Sequence, residues 1–204
     1  MKITILIDIK DSFFLAYIRI LENKLKKISN EVYFIKNKNE LKKGNILFCI
    51  SCKSILKKEE LKKNKFNIIA HPSKLPIDKG SAAVAHAILK NKKKIYITLF
   101  EASNKIDSGD IYSQSNFVLK GSELCDEIRK KQALLTIKMI CDLAKKIKFK
   151  KIKGMKQKKN NKKLLPKRNT DDSELNINKS IKSQFNLLRI VDNERYPAFF
   201  KYKN

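Results

Sequence analysis

Phe66-Asn67-Ile68-Ile69-Ala70-His71-Pro72-Ser73-Lys74-Leu75-Pro76 runs from a short apolar strand straight into a proline-bounded turn, with one of only two histidines at the junction. Pro72 has no N–H to give to a ladder, so the strand must end near His71. Downstream, a second strand, Lys94–Glu101, leads to the turn Asp107-Ser108-Gly109-Asp110 and then to the strand Ile111–Val118. Between them, Ala82–Leu89 reads as an apolar helix. In open α/β sheets, chemistry gathers outside the strand ends. A histidine and a carboxylate delivered there can exchange a proton near neutral pH.

Working outward, the same alternation continues. Lys2–Ile9, Val32–Ile35 and Ile46–Ile50 are β-branched, apolar runs that predict strands. Ser12–Leu25 carries Phe13, Phe14, Ala16, Tyr17, Ile20 and Leu21 at helical spacing, with Asp11 or Ser12 as the N-cap. Lys53–Lys63 is charged and helix-prone, and Ser122–Lys145 holds the longest helical pattern. The expected fold is α/β: a three-layer, Rossmann-like arrangement with a mainly parallel sheet and helices on both faces. The chain has five glycines, no G-x-G-x-x-G and no P-loop, so a dinucleotide or nucleoside-triphosphate fingerprint is unsupported.

With 204 residues and a hydrophobic fraction of 42%, the chain is large enough for one domain with a real core. Its 47 basic and 20 acidic residues leave a formal charge of +27. That excess favours phosphate-bearing partners: nucleic acid, a nucleotide-linked substrate or an anionic membrane surface. A lysine-rich composition that merely coats solvent-facing positions is the plainer reading. Cys49 and Cys52 form a C-x-x-C, but Cys125 and Cys141 stand far apart, so the second pair of a zinc site is missing. Cys49 lies inside a strand pattern and is expected in the core. No metal site is predicted, and free thiols suit a reducing cytoplasm. Asp8 and Asp11 break the apolar N-terminus too early for a secretory signal, and no run approaches a membrane span, so a cytoplasmic location is expected.

From Lys145 to Arg168 there are thirteen basic residues and no acid. This stretch is expected to be an exposed, mobile connector, either simply solvated or a landing strip for a phosphate-rich ligand. Three segments follow: 1–146 as the main body, 147–170 as the connector, and 171–204 as a helix (Asn178–Val191) and an apolar tail packing back on the body.

The order strand, H-P-S-x-L-P, x-x-x-G, helix, strand, D-S-G-D-I, strand resembles the catalytic domain of the folate-dependent formyltransferases, shared by methionyl-tRNA formyltransferase, glycinamide ribonucleotide formyltransferase and the sugar N-formyltransferases. The resemblance covers Ile46 to Gln114. It resumes at Arg168-Asn169-Thr170-Asp171-Asp172-Ser173 and at Leu188-Arg189-Ile190-Val191-Asp192-Asn193-Glu194-Arg195-Tyr196-Pro197-Ala198-Phe199-Phe200. It implies that an amine attacks the formyl carbon of N10-formyltetrahydrofolate, with His71 as the acid/base group and Asp107 as the carboxylate that orients it. Asp107 fits better than Asp110, because the family motif is D-x-G. By position, Cys52, Lys53 and Ser54 in one loop, and Asn104, Lys105 and Ile106 in another, would hold the folate largely through their main chain. His86 is expected to be packing or surface.

One position departs from the family. Asn usually stands two residues before the histidine, aimed at the oxyanion; here it is Ile69. Asn67 lies on the same strand face but about 13 Å from His71, too far to substitute. Loss of one such donor typically costs about 10² to 10³ in turnover. Either a main-chain N–H or Ser73 supplies the bond, or the chain is slow or inactive; Ser73 and Gly80 are the candidate oxyanion or substrate contacts. Ser81-Ala82-Ala83-Val84 also lacks the proline and large residues common there, which bears on the acceptor. The Arg189–Phe200 stretch, and a chain that stops there, favour an amino-sugar nucleotide as acceptor. The lysine excess suits aminoacylated initiator tRNA. A non-catalytic, basic RNA- or membrane-associated protein on the same scaffold is the third reading, and Ile69 is its best support.

Overall fold

A computed structural model describes residues 1–202; Lys203 and Asn204, the end of the expected C-terminal segment, lie outside the described residues. The strands are β1 (Lys2–Leu6), β2 (Glu31–Ile35), β3 (Gly44–Ile50), β4 (Asn64–His71), β5 (Lys94–Glu101) and β6 (Ile111–Val118). They form one sheet in the order β2-β1-β3-β4-β5-β6. The helices are α1 (Ile18–Lys26), α2 (Lys58–Leu61), α3 (Ala83–Leu89), α4 (Cys125–Phe149) and α5 (Ile181–Leu188).

Alternation along the strands builds two apolar faces. Ile3, Ile5, Ile46, Phe48, Ile68, Ile97 and Leu99 face α1 and α4, which contribute Leu21, Leu25, Ile137 and Ile140. Leu6, Leu47 and Cys49 face the opposite layer, where Leu41, Leu56 and Leu61 cover them. β1 and β3 are largely buried on both faces, which explains their largely apolar runs. This is the three-layer α/β fold expected.

Within that fold, β2, β1, β3 and β4 pair in parallel, but β5 is antiparallel to both β4 and β6. The sheet is therefore mixed, and its parallel part ends at β4.

The Lys53–Lys63 helix shrinks to Lys58–Leu61. The N–H groups of Lys53 and Ser54 go instead to the Asp8 carboxylate, at 2.7 and 2.9 Å, so the chain there is held away from helical bonding. The first helix opens as a 3₁₀ turn, Phe13–Tyr17, capped by the Ser12 hydroxyl, which accepts from Phe14 N–H.

Residues 150–168 differ from the free connector expected. Their lysines are mostly exposed, but the uncharged residues between them are tied to the body. Met155 and Ile111 exchange both main-chain bonds at 2.8 Å. Gln157 and Asn160 donate to main-chain oxygens of other loops, and Leu165 bonds to Lys79 and Ser81. The segment is a strap laid over the loops at one end of the sheet. No helix among the described residues is long and apolar enough to cross a membrane.

Candidate active site

His71 is the last residue of β4, and its pairing with Thr98 puts both side chains on one sheet face, beside Phe100. The Phe100 ring meets the imidazole edge-on at 6.5 Å between centroids. Asp107 arrives from the loop after β5 in a left-handed conformation (φ 48°), which aspartate tolerates better than most residues. Its Oδ2 accepts the Gly80 N–H at 2.8 Å and stands 3.5 Å from His71 Nε2. The two side chains are only 14% and 13% exposed, so the pair is enclosed but reachable. His71, Asp107 and Gly80 thus converge.

At 3.5 Å the imidazole and carboxylate are poised rather than bonded, and Nε2 has no hydrogen-bond partner among the described residues. Burial lowers the proton affinity of His71 below the ordinary histidine value; the Asp107 charge and the main chain of Asp78 oppose this without reversing it. The shift favours the uncharged imidazole, and Nε2 is enclosed on the side that faces Asp107.

Gly80 is required by geometry. Its φ is 107°, and a Cβ there would stand 2.5 and 2.6 Å from the Leu165 O and N. Gly109 is as constrained, since a Cβ would overlap the Glu101 carbonyl. The loop carrying Asp107 is thereby folded tightly onto the end of β5.

Ser73 is buried. Its N–H donates to His71 O at 2.9 Å, and its carbonyl accepts from the Thr98 hydroxyl at 2.7 Å. Its own hydroxyl has no hydrogen-bond partner. Of the two candidate oxyanion or substrate contacts, Ser73 and Gly80, both main-chain N–H groups are engaged, and the Ser73 hydroxyl has no partner but is buried. Ile69 packs toward the Leu47–Cys49 side of the core. Asn67 is consumed structurally: its Nδ2 donates to Leu61 O at 2.9 Å.

The loop after β3 leaves the sheet beside β4, because Ile50 pairs with Ala70. There Cys52 Sγ reaches Leu6 O at 3.2 Å, while Lys53 and Ser54 bind Asp8 rather than the His71 group. Asn104, Lys105 and Ile106 form an exposed loop just before Asp107, and Lys105 O accepts from the hydroxyls of Ser103 and Ser108. Cys49 is buried, its thiol pushed up by the Cys52 bond and by burial. No three His, Cys, Asp or Glu residues among those described are placed to hold a metal ion. His86 Nε2 lies 3.0 Å from Pro166 O and fastens the strap, a packing role. A cavity of about 840 Å³ between the end of α3 and α5 takes in none of the predicted site residues.

Sequence reading missed two groups. Glu101, at the end of β5, accepts from Asn67 N–H at 2.9 Å and from the Tyr112 hydroxyl at 2.8 Å; burial raises its pKa, and these bonds partly offset that. Gln157 donates to Asp107 O at 3.0 Å and Gly109 O at 2.8 Å. The available signal was that Gln157, Asn160 and Asn161 are the uncharged polar residues of a lysine run.

No family model matches the chain. Methionyl-tRNA formyltransferase from Wolbachia pipientis is 30% identical over 101 residues, 47% of this chain and 34% of that protein. The chain therefore spans about a third of the length of the curated relatives it matches. Among solved structures, methionyl-tRNA formyltransferase from Clostridium thermocellum superposes with a TM-score of 0.79 at 21% identity, covering 99% of this chain and 88% of that one. The formyltransferase PseJ from Anoxybacillus kamchatkensis, solved with UDP-4,6-dideoxy-4-formamido-L-AltNAc and tetrahydrofolate, gives 0.64 at 18% identity, over 85% and 88%. The fold is that of these enzymes, and the relatives and structural neighbours point to the formyltransferase family.

Proposed function

We propose that this chain, whose relatives are formyltransferases, moves a formyl group from N10-formyltetrahydrofolate to the amine of a nucleotide-linked amino sugar. The observation that carries the reading is the convergence of the largely enclosed His71 and Asp107 side chains at 3.5 Å, with Asp107 held by the Gly80 N–H.

The amine attacks the formyl carbon, and a C–N bond forms as the carbonyl oxygen becomes an oxyanion. His71 takes the proton that the nitrogen sheds, and Asp107 stabilises the imidazolium that results. Breakage of the bond to N10 then expels tetrahydrofolate, with His71 returning the proton to N10. The Ser73 hydroxyl is the side-chain donor left for the oxyanion. The co-substrate would lie between the loops 52–54 and 104–106, recognised by their main chain.

A sugar acceptor is supported by the likeness of Arg189–Phe200 to sugar-modifying members and by the ligand in the PseJ structure. The second reading, aminoacylated initiator tRNA, is favoured by the curated relatives, which are methionyl-tRNA formyltransferases. The test is to follow tetrahydrofolate release from N10-formyltetrahydrofolate with a panel of amino-sugar nucleotides and, in parallel, with charged initiator tRNA. Turnover with a sugar nucleotide supports the proposal. Turnover with tRNA alone replaces the acceptor, and release with neither removes the catalytic reading.

A further inference from the structure

Between the middle of the His71–Gly80 loop and the start of β5 lies a groove of about 440 Å³, lined by Lys74, Ile77, Lys92, Lys93, Lys94 and Tyr96. Its charge is held in place by the backbone. After α3, Asn91 turns left-handed (φ 57°) and the Lys92 N–H returns to Ala87 O at 2.9 Å. The Lys93 carbonyl accepts from Leu119 N–H at 2.8 Å. Three successive lysines therefore sit on a fixed reversal. Lys74 approaches from the facing loop, its ammonium 4.9 Å from the centre of the Tyr96 ring. Lys92 is paired with Asp78 at 3.1 Å, whereas Lys93 and Lys94 have no ion-pair partner among the described residues. The groove wall is mostly apolar, and the four exposed lysines at its rim outnumber the one carboxylate beside them, so a compact polyanion seated there meets a net positive field.

We propose that this groove binds a diphosphate group, namely the diphosphate of a nucleotide-linked molecule. Lysine binds phosphate as a point charge, and several lysines around one small groove match the several oxygens of a diphosphate better than a single carboxylate. Tyr96 and Ile77 supply the apolar wall beside it. The groove also reports on the candidate active site. The loop that contributes Lys74 and Ile77 has His71 and Gly80 at its ends, and both contact Asp107. The Asp78–Lys92 pair ties that loop to the lysine turn. A diphosphate spanning Lys74 and Lys93–Lys94 braces the loop that holds His71 in place. Identification of the bound molecule as the formyl acceptor rests on the sugar-nucleotide reading above; the binding itself does not.

Isothermal titration of the full chain with inorganic pyrophosphate, UDP and uridine at fixed ionic strength tests it. Pyrophosphate and UDP should bind and uridine should not. The double variant Lys93→Glu/Lys94→Glu should lose roughly tenfold or more in affinity for both, while Lys24→Glu/Lys26→Glu, the same charge change on the exposed face of α1, should lose less than about twofold. Equal losses in the two double variants mean that net charge alone attracts the anion, and the proposal falls. It also falls if a short RNA duplex binds more tightly than UDP and loses that affinity in the groove variant, since the groove then serves a nucleic-acid backbone. Formyl transfer is not needed for these readings, so an inactive chain that still binds UDP in the groove leaves the site standing and removes only the catalytic proposal.

Discussion

Gln157 holds Asp107 by its main chain: one side-chain amide donates to Asp107 O at 3.0 Å and to Gly109 O at 2.8 Å. A residue of the lysine-rich strap thus fixes the turn that presents the candidate carboxylate, and the left-handed Asp107 would otherwise be free to relax. Gln157→Leu keeps the volume and removes both bonds. It should lower kcat by about tenfold with little change in KM for folate, as expected when positioning is lost. Steady-state kinetics on both substrates check this, and an unchanged kcat would show that Gly109 alone holds the turn.

The His71–Asp107 pair predicts a pH profile with a definite direction. Burial holds the His71 pKa below its ordinary value, and Asp107 opposes that shift. The acid limb of kcat/KM should therefore fall below the pH at which a free histidine titrates. In Asp107→Asn the opposing charge is gone, so the limb moves to still lower pH while the maximal rate drops. His71→Ala should abolish transfer. The same group affects stability: below the ordinary histidine pKa the unfolded chain takes up the proton first, so stability declines as pH falls through the folded value. Urea midpoints at pH 7.5, 6 and 5 should show this component in the parent and lose it in His71→Ala.

Gly80→Ala forces a side chain into a position where φ is 107° and the Leu165 main chain is 2.5 Å away. A loss of about 2 kcal/mol or more is expected, from backbone strain and displacement of the strap together. Because the Gly80 N–H holds Asp107, turnover should fall as well. Thermal melting combined with activity separates the two effects; a variant with parental stability would contradict the close approach of strap and loop.

Glu123 and Arg189 form a buried pair near the start of α4, each side chain 6% exposed. Burial alone would raise the Glu123 pKa, but the Lys131 ammonium and the N–H groups of Lys120 and Gly121 outweigh it and bring the value down to about 2. Its stabilisation is present above the ordinary carboxylate pKa and is lost as pH falls toward 2. Glu123→Gln removes the charge that faces Lys131 and Arg189, while Arg189 keeps its bonds to Glu123 O and Asn186 Oδ1, and should cost about 1.5 to 3 kcal/mol at pH 7. Denaturant unfolding at pH 7 and pH 3 should show the gap between variant and parent closing at the lower pH.

Ile69→Asn places an amide on the same strand face as His71, roughly 6.6 Å along the chain. It should raise turnover by supplying an oxyanion donor, and lower the melting temperature because Ile69 packs against Leu47 and Cys49. If turnover does not move while Ser73→Ala depresses it, the serine hydroxyl already serves as the donor.

The alternation of apolar strands with amphipathic helices was legible because both periodicities are local and repeat within each element. The turn residues around His71 and Asp107 were legible for the same reason: proline fixes φ and glycine admits positive φ wherever they stand. The shortening of α2 was not, since it depends on Asp8 capturing two N–H groups from a loop more than forty positions away. A lysine-dominated composition predicts a mobile connector, while its attachment depends on sparse contacts by Met155, Gln157, Asn160, Leu165 and Pro166.

By itself, the order of residues determined the α/β layering and the delivery of one histidine and one aspartate to strand ends, since hydrophobic periodicity and turn chemistry act over a few residues. Only the tertiary structure decided that β5 runs against β4, that Asp107 Oδ2 stops 3.5 Å short of His71, and that Gln157 of a basic segment bonds to the Asp107 main chain. Those outcomes are set by hydrogen bonds and burial between residues far apart in the chain, where no local pattern carries the distance.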